Sequence, residues 1–345
     1  MLPNIVERFR RDRCLLEPVI GTRLDPIARI EWGWGDRHRG GRTVARVTLQ
    51  SGRHLGYKPR SLRPELLWSK LVAAVNDQTD LGLAAPVVVD CGSYGWMEWI
   101  PPEPAPVRLS QRCLERIGVI LALLDILQVR DAHRDNLLFA RDQLILVDAE
   151  TVFHPRLPGF EATPSILLTG ALPWPPGRGP KAPLTDLVRP SESWSGVARG
   201  YRRGSTLLER NADRWRLLKG PIGAFRQART RVILRPTRAY AKALKAGGRQ
   251  LRPLPEPVPT IVAARILAAE NEALGSGDIP VFTADVTGSD LRVGRRLIAK
   301  GFFARSGWTE VAARCRGLGT TDRSEALTLA RDAIRLDHTG RPRSR

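Results

Sequence analysis

Residues 129–150 read VRDAHRDNLLFARDQLILVDAE and set carboxylates, a histidine and an asparagine around one short apolar run. Asp131 and Asn136 stand five positions apart, and Asp148 and Glu150 close the stretch that contains QLILV. That spacing suits phosphoryl transfer, in which one carboxylate sits beside an attacking hydroxyl and an amide five residues on helps to hold Mg²⁺. A second metal-binding carboxylate must then follow the next β-hairpin, and Asp148 occupies that place. The hairpin explains the bracketed apolar run, because it delivers Asp148 back to Asn136. Glu150 is in reach of the same metal, since residues i and i+2 of an extended segment share a face. His133 can hydrogen-bond a loop backbone.

Such a loop needs a cation brought to it from elsewhere, on a strand that follows a glycine-rich hairpin. Lys58 in YKPR stands there, in a chain whose basic residues are overwhelmingly arginine. A compact ammonium suits the neutralisation of nucleotide phosphates. The elements around it are legible from pattern. Residues 1–30 read as one or two short amphipathic helices, and EWGWGDRHRGGR (31–42) as a glycine-rich turn. TVARVTLQ and HLGYKPR then form a β-hairpin, and 63–77 has helical periodicity with a proline near its start. APVVVDCGSYGWMEWI (85–100) reads as two strands about a Gly-Ser turn, and PPEPAP (101–106) as a stiff, non-helical hinge. A long buried helix follows, with Ser110 as N-cap. Residues 154–192 are rich in Pro and Gly and carry little regular structure, and helical patterns dominate from there to the end. This order predicts an α+β protein with a bilobal protein/lipid-kinase-like fold. Its β-rich N-lobe would span 1–103, and a mostly helical C-lobe 104–345.

The chain has 345 residues, 42% of them hydrophobic and 26% charged, which is enough to bury a sizeable core. Its net charge of +20 raises nucleic acid as a partner. The arginines are spread along the chain instead of forming one tract, so the expectation is attraction to anionic ligands such as phosphates and no specific nucleic-acid site. The four cysteines, at 14, 91, 113 and 315, form no CxxC pair, and reduced, mostly buried thiols are expected. The N-terminus lacks the apolar core of a signal peptide. The longest apolar run, 117–129, is too short to span a bilayer and contains Asp125. A cytoplasmic protein is the expectation.

The motifs GDRHRGGR, YKPRSL, GSYGWMEWI, DAHRDNLL and LVDAETVF, in this order, resemble the dehydratase domain of class II lanthipeptide synthetases (the LanM type). The resemblance extends through SILLTGALP, RVILRPTRAYAKAL and GDIPVF, and so covers roughly residues 28–285. It implies an enzyme that phosphorylates Ser and Thr of a precursor peptide with ATP and Mg²⁺. The enzyme then expels phosphate to leave dehydroalanine or dehydrobutyrine. On that resemblance Asp131 acts on the substrate hydroxyl with His133 in support, Asn136, Asp148 and Glu150 hold metal, and Lys58 contacts phosphate. Asp36 and His38 match a GDxH motif near the active site. Arg231 and Thr237 match a pair used in elimination, with Arg235 a basic neighbour. Family domains are longer before the GDxH motif and are followed by a zinc-dependent cyclase. Here 35 residues precede Asp36, and Cys315 is followed by Arg316-Gly317 with no zinc-like cluster. The expectation is a shortened dehydratase without the cyclase domain, served by a separate cyclase or leader-binding protein. Two other readings stay open: a phosphotransferase that stops at the phosphoester, and a degenerate peptide-binding partner subunit.

Overall fold

A computed structural model describes residues 2–38, 40–173, 182–247, 251–317 and 319–340. Helix α1 (Leu2–Ile20) is one continuous element where one or two short helices were expected. Ile5, Phe9 and Leu16 recur at helical spacing and are buried against an antiparallel sheet. Asp12 lies on the same face and accepts from Tyr94 Oη at 2.7 Å and Trp96 Nε1 at 2.9 Å, which ties the helix to the sheet by a satisfied carboxylate. The sheet contains β1 (Ile27–His38), β2 (Arg42–Leu49), β3 (His54–Lys58), β4 (Val88–Asp90) and β5 (Gly95–Glu98), in the order β1-β2-β3-β5-β4. Most of the expected glycine-rich turn at 31–42 is therefore strand. Trp32 and Trp34 pair with β2, and register shifts between Trp32 and His38 absorb the glycines as bulges. Helix α2 (Arg63–Asn76) lies between β3 and β4, with Pro64 in its first turn.

Residues 101–106 carry no regular structure, as expected of PPEPAP. Helix α3 (Gln111–Ile126) starts at Ser110, whose hydroxyl accepts from the Cys113 amide at 3.0 Å. The hairpin β6 (Leu137–Ala140) and β7 (Gln143–Leu146) turns on Arg141 and Asp142. Both have φ near +55°, the signature of a type I′ turn. Short helices α4 (Pro183–Leu187) and α6 (Ala212–Trp215) flank α5 (Trp194–Arg210). In the Pro/Gly-rich stretch the described part holds a 3₁₀ turn at Ser165–Leu168 and then α4, while 174–181 fall outside the described residues.

The remainder is less helical than expected. Strand β8 (Arg229–Val232) is followed by α7 (Thr237–Lys245) and α8 (Thr260–Gly275). Then come β9 (Phe282–Asp285), β10 (Leu291–Val293), β11 (Arg296–Ala299), α9 (Gly307–Gly317) and α10 (Thr320–Gly340). The four strands form a second antiparallel sheet, β11-β10-β9-β8. Three short strands with turns at Gly288 and Gly294 give little periodicity, and only their pairing with one another and with β8 makes a sheet of them. The four cysteines are free; Cys113 and Cys315 are buried, but Cys91 is half-buried and Cys14 exposed, so the thiols are less covered than expected. No helix among the described residues is long and apolar enough to cross a membrane.

The largest core cluster centres on α3 and α5, which cross in very close contact. A Cβ on Gly118 would stand 2.0 Å from the Val197 carbonyl oxygen, and one on Gly200 equally close to that of Glu115. Alanine at 118 gains helix propensity of about 1 kcal/mol, but the backbone clash cannot be relieved without parting the helices. Gly118→Ala is expected to lose about 1–3 kcal/mol net; chemical denaturation measures it, and an unchanged midpoint would disprove the clash.

Candidate active site

A cleft of about 1380 Å³ lies between the β1–β5 sheet, the 131–150 hairpin segment and the β8–β9 pair. Asp36 and His38 at the end of β1 line it, as does Lys58 at the end of β3. Asp131, His133, Asn136, Asp148 and Glu150 form its floor, and Arg231 and Thr237 reach it from β8 and the start of α7. Ten of the eleven side chains that the resemblance singles out thus open on one cavity. Arg235 does not; its guanidinium donates to Glu270 at 2.7 Å and to the Arg252 carbonyl at 2.6 Å.

Backbone bonds hold the floor in place. Thr151 accepts from the Arg130 amide and donates to the Arg130 carbonyl, while Phe153 and His154 donate to Leu127 and Gln128. The Ala132 amide donates to the Thr169 carbonyl at 2.8 Å. Between these ties Asp131 adopts φ +60°, a conformation that a non-glycine residue keeps only when its surroundings over-determine it. Asn136 Nδ2 donates to the Asp131 carbonyl at 2.9 Å, so the amide is oriented and its oxygen is not used in that bond. The Asp135 amide donates to His133 Nδ1 at 3.2 Å, which puts the proton of the neutral ring on Nε2. Nε2 lies 3.5 Å from Asp131 Oδ1.

Charge is concentrated and almost balanced. Lys58 Nζ lies 3.1 Å from Asp148 and 3.5 Å from Glu65, and also donates to the Val147 carbonyl at 3.0 Å. Arg60 bonds Glu65 at 2.5 Å and Asp148 at 2.8 Å, and lies 3.2 Å from Glu150. Arg231 Nη1 bonds the other Glu150 oxygen at 2.5 Å, and its amide donates to the Glu150 carbonyl at 2.7 Å. Burial opposes ionisation of Asp148, yet Lys58 and Arg60 hold its carboxyl well below the usual range. Burial likewise opposes charge on Glu150, and Arg231 and Arg60 outweigh it. Asp131 has no such partner: burial pushes its carboxyl up to about 6, with His133 and Arg231 only partly opposing. A carboxyl near 6 can accept a proton from a hydroxyl at neutral pH. His38 is pushed below its ordinary value by burial and by Arg231, so its ring is neutral there.

Among the described residues no three His, Cys, Asp or Glu side chains converge as a metal cage. Asp148 and Glu150 face arginines instead, and Asn136 is the amide beside them. Sequence reasoning passed over Arg60 and Glu65. Arg60 belongs to the YKPR motif itself, and Glu65 is the acidic residue in the first turn of α2, so a search for the counter-ion of Lys58 had a signal to find. It also passed over His154, which is buried and pushed down to about 3 by burial and by Arg130. Its neutral ring accepts from the Ile233 amide at 2.9 Å and so ties the end of β8 to the floor segment.

A family model described as a domain of unknown function (DUF4135) matches residues 1–182. A lacticin 481/lactococcin biosynthesis protein of Lactococcus lactis subsp. lactis is 23% identical over 165 residues, or 45% of this chain. The match spans 18% of that relative's length.

Proposed function

We propose that this chain, which belongs to the DUF4135 domain family, takes part in lanthipeptide maturation as a dehydratase. In this reading it phosphorylates Ser and Thr of a ribosomally made precursor peptide with ATP and then eliminates phosphate. The observation that carries the reading is the Lys58–Glu65 pair beside Asp148, in the same cleft as Asp131 and Arg231. A strand lysine paired to a helix glutamate, facing a metal-binding aspartate, is the arrangement on which protein kinases depend. It supports a bilobal kinase-like division at residues 103/104. The similarity to a lacticin 481/lactococcin biosynthesis protein supports the peptide substrate.

Val44, Gly56, Met97, Ile100, Leu138 and Val147 give the cleft an apolar wall suited to a purine. The oxygen donors of Asn136 and Asp148, with Glu150 beside them, suit a hard cation such as Mg²⁺. That ion would neutralise charge on the transferred phosphoryl group. Lys58 and Arg60 add fixed positive charge to the same place. Asp131 accepts the proton of the substrate hydroxyl as the hydroxyl oxygen bonds to phosphorus and the bond to ADP breaks. His133 Nε2–H steadies that carboxylate. In elimination a Cα proton leaves to a base and the electron pair forms the Cα=Cβ bond. The Cβ–O bond then breaks, and phosphate departs with its electrons. Arg231, charged throughout, receives the phosphate through its planar fork. Thr237 offers a further donor, and Asp36 and His38 are the remaining polar groups around it.

The test is to incubate the chain with ATP, Mg²⁺ and the precursor peptide encoded beside its gene, and to weigh the peptide. Loss of one water per modified residue is the expected result. Gain of a phosphoryl group without loss of water would support a phosphotransferase that stops at the ester, and an unchanged mass would favour the peptide-binding subunit.

A further inference from the structure

The turn between β1 and β2 is fastened to a distant part of the chain. Gly40 and Gly41 have φ of +83° and +75°, which turns their successive amides toward one carboxylate. The Gly40 amide donates to Asp278 Oδ2, and the Gly41 amide to Asp278 Oδ1 at 2.9 Å. The Ile279 amide donates to the Arg37 carbonyl at 2.8 Å, and His38 Nδ1 donates to the Ile279 carbonyl at 2.7 Å. Asp278 is only 4% exposed, so these bonds are shielded from water. The segment it belongs to runs on through Val281, which lines the cleft, into β9, where Thr283 pairs with Arg231 of β8. Asp36 and His38 precede the fastened turn, and Arg231 lies on β8, the partner of the strand into which the fastening segment runs.

We infer that Asp278 is a positioning residue, a carboxylate latch that holds Asp36 and His38 over the cleft on the side of Arg231. The inference rests on the proposed dehydratase reading for its chemical consequence, though not for its structural one. Among the described residues, Lys58, Asp131 and Asp148 belong to other elements and make no bond with Asp278, Gly40 or Gly41. Loss of the latch therefore acts on the second half-reaction alone. Phosphorylation continues, and elimination slows because its polar groups leave Arg231.

Two measurements on the full chain decide it. Amide hydrogen exchange in Asp278→Ala is expected to rise on the order of tenfold to a hundredfold over residues 36–43, which is what the loss of charge-assisted hydrogen bonds implies. Exchange in α3 and α5 stays unchanged. Equal protection of 36–43 in variant and parent would overturn the latch whatever the chain catalyses. With ATP, Mg²⁺ and the peptide encoded beside the gene, the ratio of phosphorylated to dehydrated product is expected to rise on the order of tenfold. Asp278→Asn, which keeps one acceptor oxygen, falls between parent and alanine variant. An unchanged ratio, or an equal fall in both steps, would overturn the positioning role. A parent chain that leaves the peptide unmodified refutes the dehydratase reading instead, while the exchange result still decides the latch.

Discussion

On the proposed dehydratase reading, Asp131→Asn is expected to slow phosphoryl transfer to peptide by a factor on the order of 10²–10⁴, the range for a positioned acid–base group, and to leave the folded chain more stable at neutral pH. The two effects share one origin. Burial raises the Asp131 carboxyl from its ordinary value of 3.8 to about 6. A raised carboxyl favours folding fully below its unfolded value, and that contribution is lost as pH rises through about 6. At pH 7–8 the parent therefore holds an ionised carboxylate at a cost that the amide avoids, and the variant gains on the order of 1–3 kcal/mol. The parent's turnover is expected to show an acid limb near pH 6 that the variant lacks. The Asn136 bond goes to the backbone carbonyl of Asp131, so it survives the substitution. Initial rates from pH 5 to 8, with denaturation midpoints at pH 4 and 8, check this. A variant that loses stability along with activity would show the carboxylate to be structural.

Arg231→Ala is expected to separate the two half-reactions most completely. The parent side chain is only 12% exposed, and Arg231 bonds Glu150 through both its guanidinium and its backbone amide. Burial works against its charge, and Glu150 and Asp131 more than restore it, so it is a permanent cation in the cleft. Without it a departing phosphate dianion loses this forked donor, and elimination slows by a factor on the order of 10²–10³, the usual loss for one donor to a developing anion. Phosphorylated peptide accumulates. Removing one member of a buried pair also destabilises, by about 3–5 kcal/mol when the partner is left alone. Here Arg60 still faces Glu150, so the loss stays below that range. Arg231→Lys keeps the charge, loses the fork and should give a mixture of ester and alkene. Mass spectrometry of a time course distinguishes the outcomes. If Arg231→Ala dehydrates the peptide as fast as the parent, the assignment fails; if it no longer phosphorylates, Arg231 serves the first step.

The candidate site was legible where chemistry and local geometry coincide. Asp131, His133 and Asn136 lie on one loop and Asp148 and Glu150 follow the hairpin that it enters, so their spacing in the chain nearly dictates their spacing in the cleft. Lys58 stood out as a lysine among arginines at the end of a strand. The α+β class and most elements up to Ile126 also followed from periodicity, proline and a cap. β1 was misread because its glycines suggested a turn, whereas bulges accommodate them and Trp32 and Trp34 keep the pairing with β2. The strands β9 to β11 were passed over because three or four residues carry too little alternation to declare a strand without its neighbour.

What the sequence by itself determined is this set of local dispositions: a lysine ending a strand and a carboxylate five residues before an amide. Only the tertiary structure decided which charges meet. Lys58 finds Asp148 across 90 positions and Gly40 finds Asp278 across 238. Arg60 bridges three carboxylates, and Arg235, four residues from Arg231, turns to Glu270 instead. The physical reason is that spacing along the chain sets geometry only over a few residues, through the periods of helix and strand. Coulombic and hydrogen-bond energies depend on distance in space and on burial, and both are fixed by how the apolar faces of remote elements cover one another.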